Sequence, residues 1–436
     1  MKTLVFNTDK AYGNFKPLNA TNGGPVFKRH ALDQYRSNLD TYTAAKIPFS
    51  RNHDSNAIHA YGGPYAHDVT AIFPNFDANE NDPASYDFAC TDESILCSLE
   101  AGTKTFFRLG ETIEHQIKKH ATIPPKDFKK WARICEHIIR HYTEGWADGF
   151  FHDMPYWEIW NEPDSNLDDD TNKINWGGTK AEFFDFFEIA AKHLKSCFPH
   201  LKIGGPALGW RMDWAEDFLA QMQKRGVPLD FFSWHWYGPI PELFMARSLR
   251  VRELLDKYGY QNTESILNEW NYVRGWTDEF VYSIESIHGE KGASFMMAVI
   301  SEAQKHPIDT LMYYDTRPSI FNGAFDFYTL SPLKGYYPLK WFGELCSFGR
   351  EIRTDCKIEE IYSICGIDDE GKIMAIITHY SENDAKTNEQ IKLDFGKSGE
   401  YDIYLVDTEH TGELVGTTSE LIFDLPVHSI VMIKER

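Results

Sequence analysis

Short runs of β-branched and aromatic residues alternate with longer stretches of helical spacing along the first three-quarters of this chain. That order is what a parallel sheet wrapped by helices requires, because each parallel strand must be followed by a crossover long enough to carry the chain back. Strands are predicted near Leu4–Phe6, Ile47–Arg51, Thr105–Leu109, Tyr156–Trp160, Leu201–Gly204, Asp230–Trp234, Ser265–Asn268 and Thr310–Tyr314. Between the third and fourth, Phe128, Trp131, Ile134, Cys135, Ile138, Ile139 and Tyr142 recur at helical spacing, and Pro124–Pro125 stand where a helix should begin. Eight strand–helix units in about 340 residues predict a (β/α)₈ TIM barrel with long loops, whose site gathers at the carboxyl ends of its strands.

After Phe348 the texture changes. "KIMAIITHY", "EQIKLDF", "YDIYLV" and "HSIVMIK" are read as alternating runs separated by Gly, Asn and Asp turns, with no convincing helix among them. A chain of 436 residues exceeds the usual single core. The division predicted is therefore a barrel over residues 1–345 and a C-terminal antiparallel β-sandwich over 346–436. No internal repeat, low-complexity tract or transmembrane segment is found.

The formal net charge of −21 repels phosphate backbones and anionic lipid, and no local basic patch offsets it. Nucleic acid and membrane are thus excluded as expected partners, and a neutral one is favoured. Seven scattered cysteines without a CxxC suit free thiols in a reducing compartment. "MKTLVFNTDKAYGNF" holds too short an apolar run for a signal peptide. The expected location is the cytoplasm.

The sharpest chemical signal is "YWEIWNEPD", where Asn161 and Glu162 end the fourth predicted strand and Pro163 turns the chain away. "SILNEWN" repeats the pattern, with Asn268 and Glu269 ending the seventh. Two carboxylates then face one cleft from opposite sides of a barrel. Glycoside hydrolysis needs such a pair, one to protonate the departing oxygen and one to meet the cation-like anomeric carbon. A lone strand-end Glu is ordinarily a solvated loop residue; two with the same Asn-Glu context are not so easily dismissed.

At these residues the chain resembles the clan A retaining glycoside hydrolases, and most closely glycoside hydrolase family 39, the family of β-xylosidases and α-L-iduronidases. The resemblance runs in order through "SRNHD", "PPKDFKKW", "WEIWNEP", "LKIGGPALG", "VPLDFFSWHWYG" and "NEWN". It implies Glu162 as general acid/base, Glu269 as nucleophile and Asn161 as the amide that binds the sugar 2-hydroxyl. It further implies that Tyr237 of the His235-x-Tyr237 pair steadies the nucleophile, and that Arg51 and His53 support it and bind sugar hydroxyls. The implied activity is exo-acting hydrolysis of O-glycosyl bonds by double displacement. No cofactor or metal is implied, the partner is a carbohydrate substrate, and association into homo-oligomers is left open. The rival readings are a non-catalytic carbohydrate-binding or sensor protein, a retaining hydrolase for another glycone, and a metal-dependent hydrolase.

The chain departs from the family's pattern in three places. "FFRLG" puts Arg108 where the family has an acid, so Arg108 either meets an unusual sugar or pairs with a neighbouring acid, the second being favoured. "LMYYDTRPS" ends the eighth strand in Tyr314 and Asp315 instead of a Trp that floors the sugar. The second loop reads "HDSNAIHAYGGPYAHD", offering Asp54, His59, Tyr61 and His67 as glycone ligands. Trp210, Trp234, Trp236 and Trp270 lie near strand ends, where stacking on a sugar is common, with Trp236 and Trp270 the first choices.

Three other constellations fall away. His137 and His141 share a helix without an HExxH order. Asp164, Asn166 and Asp168 begin an EF-hand spacing, but Asp169 and Asn175 stand where its Gly and Glu belong. The "GGP" turns at Gly23, Gly62 and Gly204 carry no Walker or dinucleotide fingerprint.

Overall fold

The computed structural model describes residues 1–26, 37–53 and 65–436. Eight parallel strands close into a barrel: Ala20–Asn22, Phe49–Arg51, Lys104–Leu109, Tyr156–Ile159, Lys202–Leu208, Phe231–Tyr237, Glu264–Asn271 and Thr310–Tyr313. Closure is made by Ala20 against Met312 and Thr21 against Tyr313. Seven of these strands overlap the predicted ones; the first does not. Leu4–Phe6 belongs to another sheet, and the true first strand, "ATN", is three residues long and sits in a Gly- and Asn-rich stretch that reads as a turn.

Side chains alternate along a strand, so each barrel strand contributes to successive interior layers. At the amino-terminal end Ala20, Phe106, Tyr156, Phe231, Ile266 and Met312 form a packed apolar floor, with Phe106 stacked on Tyr156 at 5.2 Å. Two residues further along the same strands stand Asn22, Arg108, Glu158, Ser233 and Asn268, all buried. The interior thus passes from apolar to polar within one layer. Above it the register slips between Trp234 and His235 on the sixth strand and between Leu267 and Trp270 on the seventh. A bulge of this kind re-aims a side chain. Here it lets two consecutive residues, Asn268 and Glu269, both engage interior partners.

The crossover helix runs Phe128–Glu144, starting after the expected Pro124–Pro125 because Asp127 caps it by accepting hydrogen bonds from the Lys129 and Lys130 amides. Its stripe of Trp131, Ile134, Cys135, Ile138, Ile139 and Tyr142 is buried as the spacing predicts. Among the described residues no helix is long and apolar enough to cross a membrane.

The second domain is a nine-stranded sheet, antiparallel but for one pairing, and no helix follows Phe348 among the described residues. Lys2–Ala11 lies inside it, parallel to Glu389–Asp394 and antiparallel to Arg350–Thr354. The division expected at residue 345 is therefore amended: the amino-terminal strand belongs with the C-terminal sheet. Strand Ile373–His379 corrects the alternation expected of its run, being buried throughout. Ile373, Ala375 and Ile377 enter the sheet's own core with Leu4 and Phe6, while Met374 and Ile376 join the barrel's core. Both faces are covered, so neither alternates to solvent.

Leu4 is 2% exposed in that sheet core. Leu4→Ala is expected to lower the stability of the sheet domain by about 2–5 kcal/mol in urea unfolding, whereas Lys10→Ala, on the exposed part of the strand, leaves it unchanged.

Candidate active site

Arg51 ends the second barrel strand with no solvent exposure, and its guanidinium organises the polar layer. Nε donates to Glu158 Oε2 at 2.7 Å, Nη1 to Asn22 Oδ1 and Glu269 Oε2 at 3.2 Å each, and Nη2 to Asn161 Oδ1 at 2.7 Å. Burial opposes its charge, but the neighbouring Glu158 and Glu269 outweigh that and raise its pKa above the ordinary value. Glu158 in turn accepts from Asn268 Nδ2 at 2.6 Å. Glu269 accepts a second hydrogen bond from Tyr237 Oη at 2.7 Å.

Glu162 stands just beyond the fourth strand on strained backbone. Trp160, Glu162 and Ala207 all have positive φ, at 73°, 44° and 55°. Such residues cost about 1–3 kcal/mol each and persist where the surroundings hold them. The hold here is the Glu162 amide, which donates to the Ala207 carbonyl at 2.9 Å. The Glu162 carboxyl accepts from Asn175 Nδ2 at 3.2 Å and Ser165 Oγ at 3.4 Å through Oε2, and its Oε1 lies 2.8 Å from His235 Nδ1. The same His235 nitrogen is 3.5 Å from Glu269 Oε2. One oxygen of each acid and a ring nitrogen of His235 therefore lie within 4.8 Å of one another.

Burial raises the pKa of both acids, for Glu269 with a further push from Glu162. Burial lowers His235 to about 4, leaving its ring neutral at ordinary pH. Burial likewise drives His53 well down, and the charges of Arg51 and Arg108 add to the effect. Tyr237 is pushed well up by burial and by the Glu269 charge, so it remains a donor. Among the described residues, Asn161 Nδ2, His53 Nδ1, His235 Nε2 and Asn268 Oδ1 at the site are buried without a hydrogen-bond partner.

The other predicted residues divide. Tyr314 comes to the mouth, its ring 6.4 Å from that of Tyr237 and its hydroxyl accepting from Arg317 Nη2 at 3.0 Å. Arg108 is fully buried and pairs with Asp68 at 2.8 Å while donating to the His53 carbonyl, the arrangement that charge burial favours. His67, too, is buried, edge-on to Phe107. Asp54, His59 and Tyr61 lie outside the described residues. Trp236 and Trp270 need correction. Strand alternation sends His235, Tyr237 and Glu269 inward and these two rings outward, so Trp270 is fully buried against Phe244 and Tyr313, and Trp236 packs edge-on to Phe244 beneath Arg247.

Several partners escaped sequence reasoning. Glu158 carries the one usable signal, an acid inside a buried strand two residues past an interior Tyr156. Asp68, Ser165 and Asn175 come from loops and have none.

Among the described residues two groups offer metal-ligand atoms. Glu162, His235 and Glu269 are already hydrogen-bonded partners beside the Arg51 cation, which disfavours a second one. Glu136, His193 and Cys197 sit on two outer helices, where Arg140 Nη2 lies 2.9 Å from Glu136.

A model of glycosyl hydrolases family 39 matches residues 26–283, more than half of the chain. A β-xylosidase of Geobacillus stearothermophilus is 37% identical over 304 residues, 60% of this chain and 56% of its own. One of Caldicellulosiruptor saccharolyticus is 31% identical over 187 residues, covering 41% and 36%. The chain thus matches about half or less of the length of these relatives. Among solved structures, a glucosidase of Croceicoccus marinus superposes with a TM-score of 0.82 at 23% identity, covering 100% of this chain and 99% of the other. A monomeric β-xylosidase of Caulobacter crescentus CB15 gives 0.72 at 16% identity over 100% and 99%. These two likenesses concern the fold. With this match over more than half of a chain whose barrel is closed and brings two strand-end acids together, the chain belongs to glycosyl hydrolases family 39.

Proposed function

We propose that this chain is a retaining, exo-acting glycosidase of the β-xylosidase type, removing a terminal sugar from short oligosaccharides or glycosides. The observation that carries the reading is the separation of Glu162 and Glu269, whose nearer oxygens are within 4.8 Å. Inverting enzymes hold their carboxyls about 6.5–9.5 Å apart to admit a water, and retaining ones about 5–5.5 Å. The name β-xylosidase belongs to the matched relatives and supports the glycone.

Glu269 is the nucleophile. Donors from Arg51 and Tyr237 hold its charge against the cost of burial and aim it from the seventh strand. Glu162 is the acid/base: burial keeps it protonated beyond the ordinary carboxylate range, so a proton is available to the departing oxygen. Attack by Glu269 on the anomeric carbon breaks the glycosidic bond and forms a glycosyl ester. Glu162, now ionised, takes a proton from water as that water cleaves the ester. Asn161 has its oxygen committed to Arg51 and its amide nitrogen unspent, which suits donation to the sugar 2-hydroxyl as charge develops on the ring. His53 Nδ1 is a second unspent group for a hydroxyl. A purely sugar-binding role would leave unexplained why two acids are held on strained or bulged backbone at this distance.

Glu269→Ala is expected to cut hydrolysis of an aryl β-xyloside by ~10⁴-fold or more, and added azide to restore turnover as the glycosyl azide of inverted configuration. An inverted sugar released by the unmodified enzyme contradicts double displacement.

The pH profile of kcat/KM should be a bell belonging to the coupled pair. Activity is lost as pH falls through the Glu269 ionisation and as it rises through that of Glu162. Both limbs are displaced upward from an ordinary glutamate by burial. Glu162→Gln is expected to abolish the alkaline limb while sparing glycosylation by substrates with acidic leaving groups; an alkaline limb that survives the substitution contradicts the assignment.

A further inference from the structure

Of the strand-end tryptophans, Trp210 behaves unlike the rest. Trp234 and Trp270 are fully buried, whereas Trp210 stays 63% exposed immediately after the fifth barrel strand. An indole left so exposed costs solvation without contributing to the core. Its position is nevertheless built with care. Asp164, with no solvent exposure, accepts hydrogen bonds from three successive amides: Gly209 at 2.7 Å and Trp210 and Arg211 at 2.9 Å each. The turn bearing the ring is thereby fastened to the loop that bears Glu162.

The distance to Glu162 is short as well. A Cβ placed on Gly209 would lie 3.4 Å from the Glu162 carboxyl carbon and 3.2 Å from Asp164 Oδ1. Gly209 therefore leaves room for the acid, and Trp210 is the next residue along the chain. The preceding link, from the Glu162 amide to the Ala207 carbonyl at 2.9 Å, ties the same strand end to the acid from the other side. Trp276, by contrast, is 57% exposed on the nucleophile's side, with its ring 5.2 Å from that of Tyr237, which holds Glu269. In a double displacement the acid/base marks where the leaving group departs.

We infer that Trp210 is the platform on which the leaving group rests, stacking its indole on the C–H face of a second pyranose ring, with Asp164 as the residue that positions it. The inference rests on the retaining-glycosidase reading of the same site and adds its leaving-group specificity. Trp210 takes no part in proton transfer or ester formation. Its contribution is binding, and it is spent only when the substrate has a ring to place there.

The test compares two substrates with one glycone: a β-1,4-linked xylobiose, whose leaving group is a sugar, and β-xylosyl fluoride, whose leaving atom cannot reach the indole. For Trp210→Ala, kcat/KM on the disaccharide is expected to fall about tenfold or more, chiefly through KM, with fluoride release unchanged within about twofold, and Trp210→Phe to retain most of the disaccharide activity. The backbone amide that binds Asp164 is intact in both variants. A Trp210→Ala enzyme that loses both substrates alike, or neither, overturns the platform while leaving the retaining reaction standing. A wild-type chain that releases no fluoride overturns the reaction itself, and the platform with it.

Discussion

A guanidinium sealed from water has to be neutralised where it stands, and the upper part of this barrel is arranged around that requirement at Arg51. Glu158 supplies one charge at 2.7 Å and Glu269 a second at 3.2 Å, while Asn22 and Asn161 take the remaining directed hydrogen bonds. Arg is suited to this because its planar fork offers several donors at fixed angles. Removing one partner of such a buried pair costs about 3–5 kcal/mol, since the other is left uncompensated. The same cation thus fixes Glu269, the proposed nucleophile, orients the amide proposed to read the sugar, and ties the second strand to the fourth and seventh. Stability and chemistry draw on one set of contacts here, which limits how freely either varies.

The layers beneath make this possible. An aromatic floor of Phe106, Tyr156 and Phe231 closes the barrel's lower end. One step up the strands the interior turns polar, and the slip in register near Asn268 lets adjacent residues serve different masters: Asn268 holds Glu158 while Glu269 faces Arg51 and Tyr237. The strained backbone at Trp160, Glu162 and Ala207 lies at the adjoining strand ends, where the fourth-strand acid is presented. Rigid strands position Glu269, and a short strapped loop positions Glu162.

Much of this was legible because period and spacing survive in the sequence. Strands of four or more residues with β-branched or aromatic runs are visible, and so are acids that end them. The first barrel strand was not, since three residues of "ATN" hold too little pattern, and Leu4–Phe6 took its place through a better one. Nothing local distinguishes a strand bound for the barrel from one that crosses to a distant sheet at residue 350. Trp236 and Trp270 were misjudged for a related reason. Except at a bulge, neighbouring an inward residue on a strand means facing outward, so adjacency to His235 and Glu269 was an argument against them. Asp68, Ser165 and Asn175 reach their partners only through tertiary folding, which no single-chain pattern reports.

Three acids, the buried Glu158 and Glu269 and the half-buried Glu162, crowd around Arg51 and His235, and the covalent step is assigned to Glu269. Trapping the enzyme with a 2-deoxy-2-fluoro-β-xylosyl fluoride and mapping the labelled peptide by mass spectrometry decides among them. One sugar per chain, esterified to Glu269, is the expected result. A label on Glu158 or Glu162, or inactivation without any covalent sugar, contradicts it.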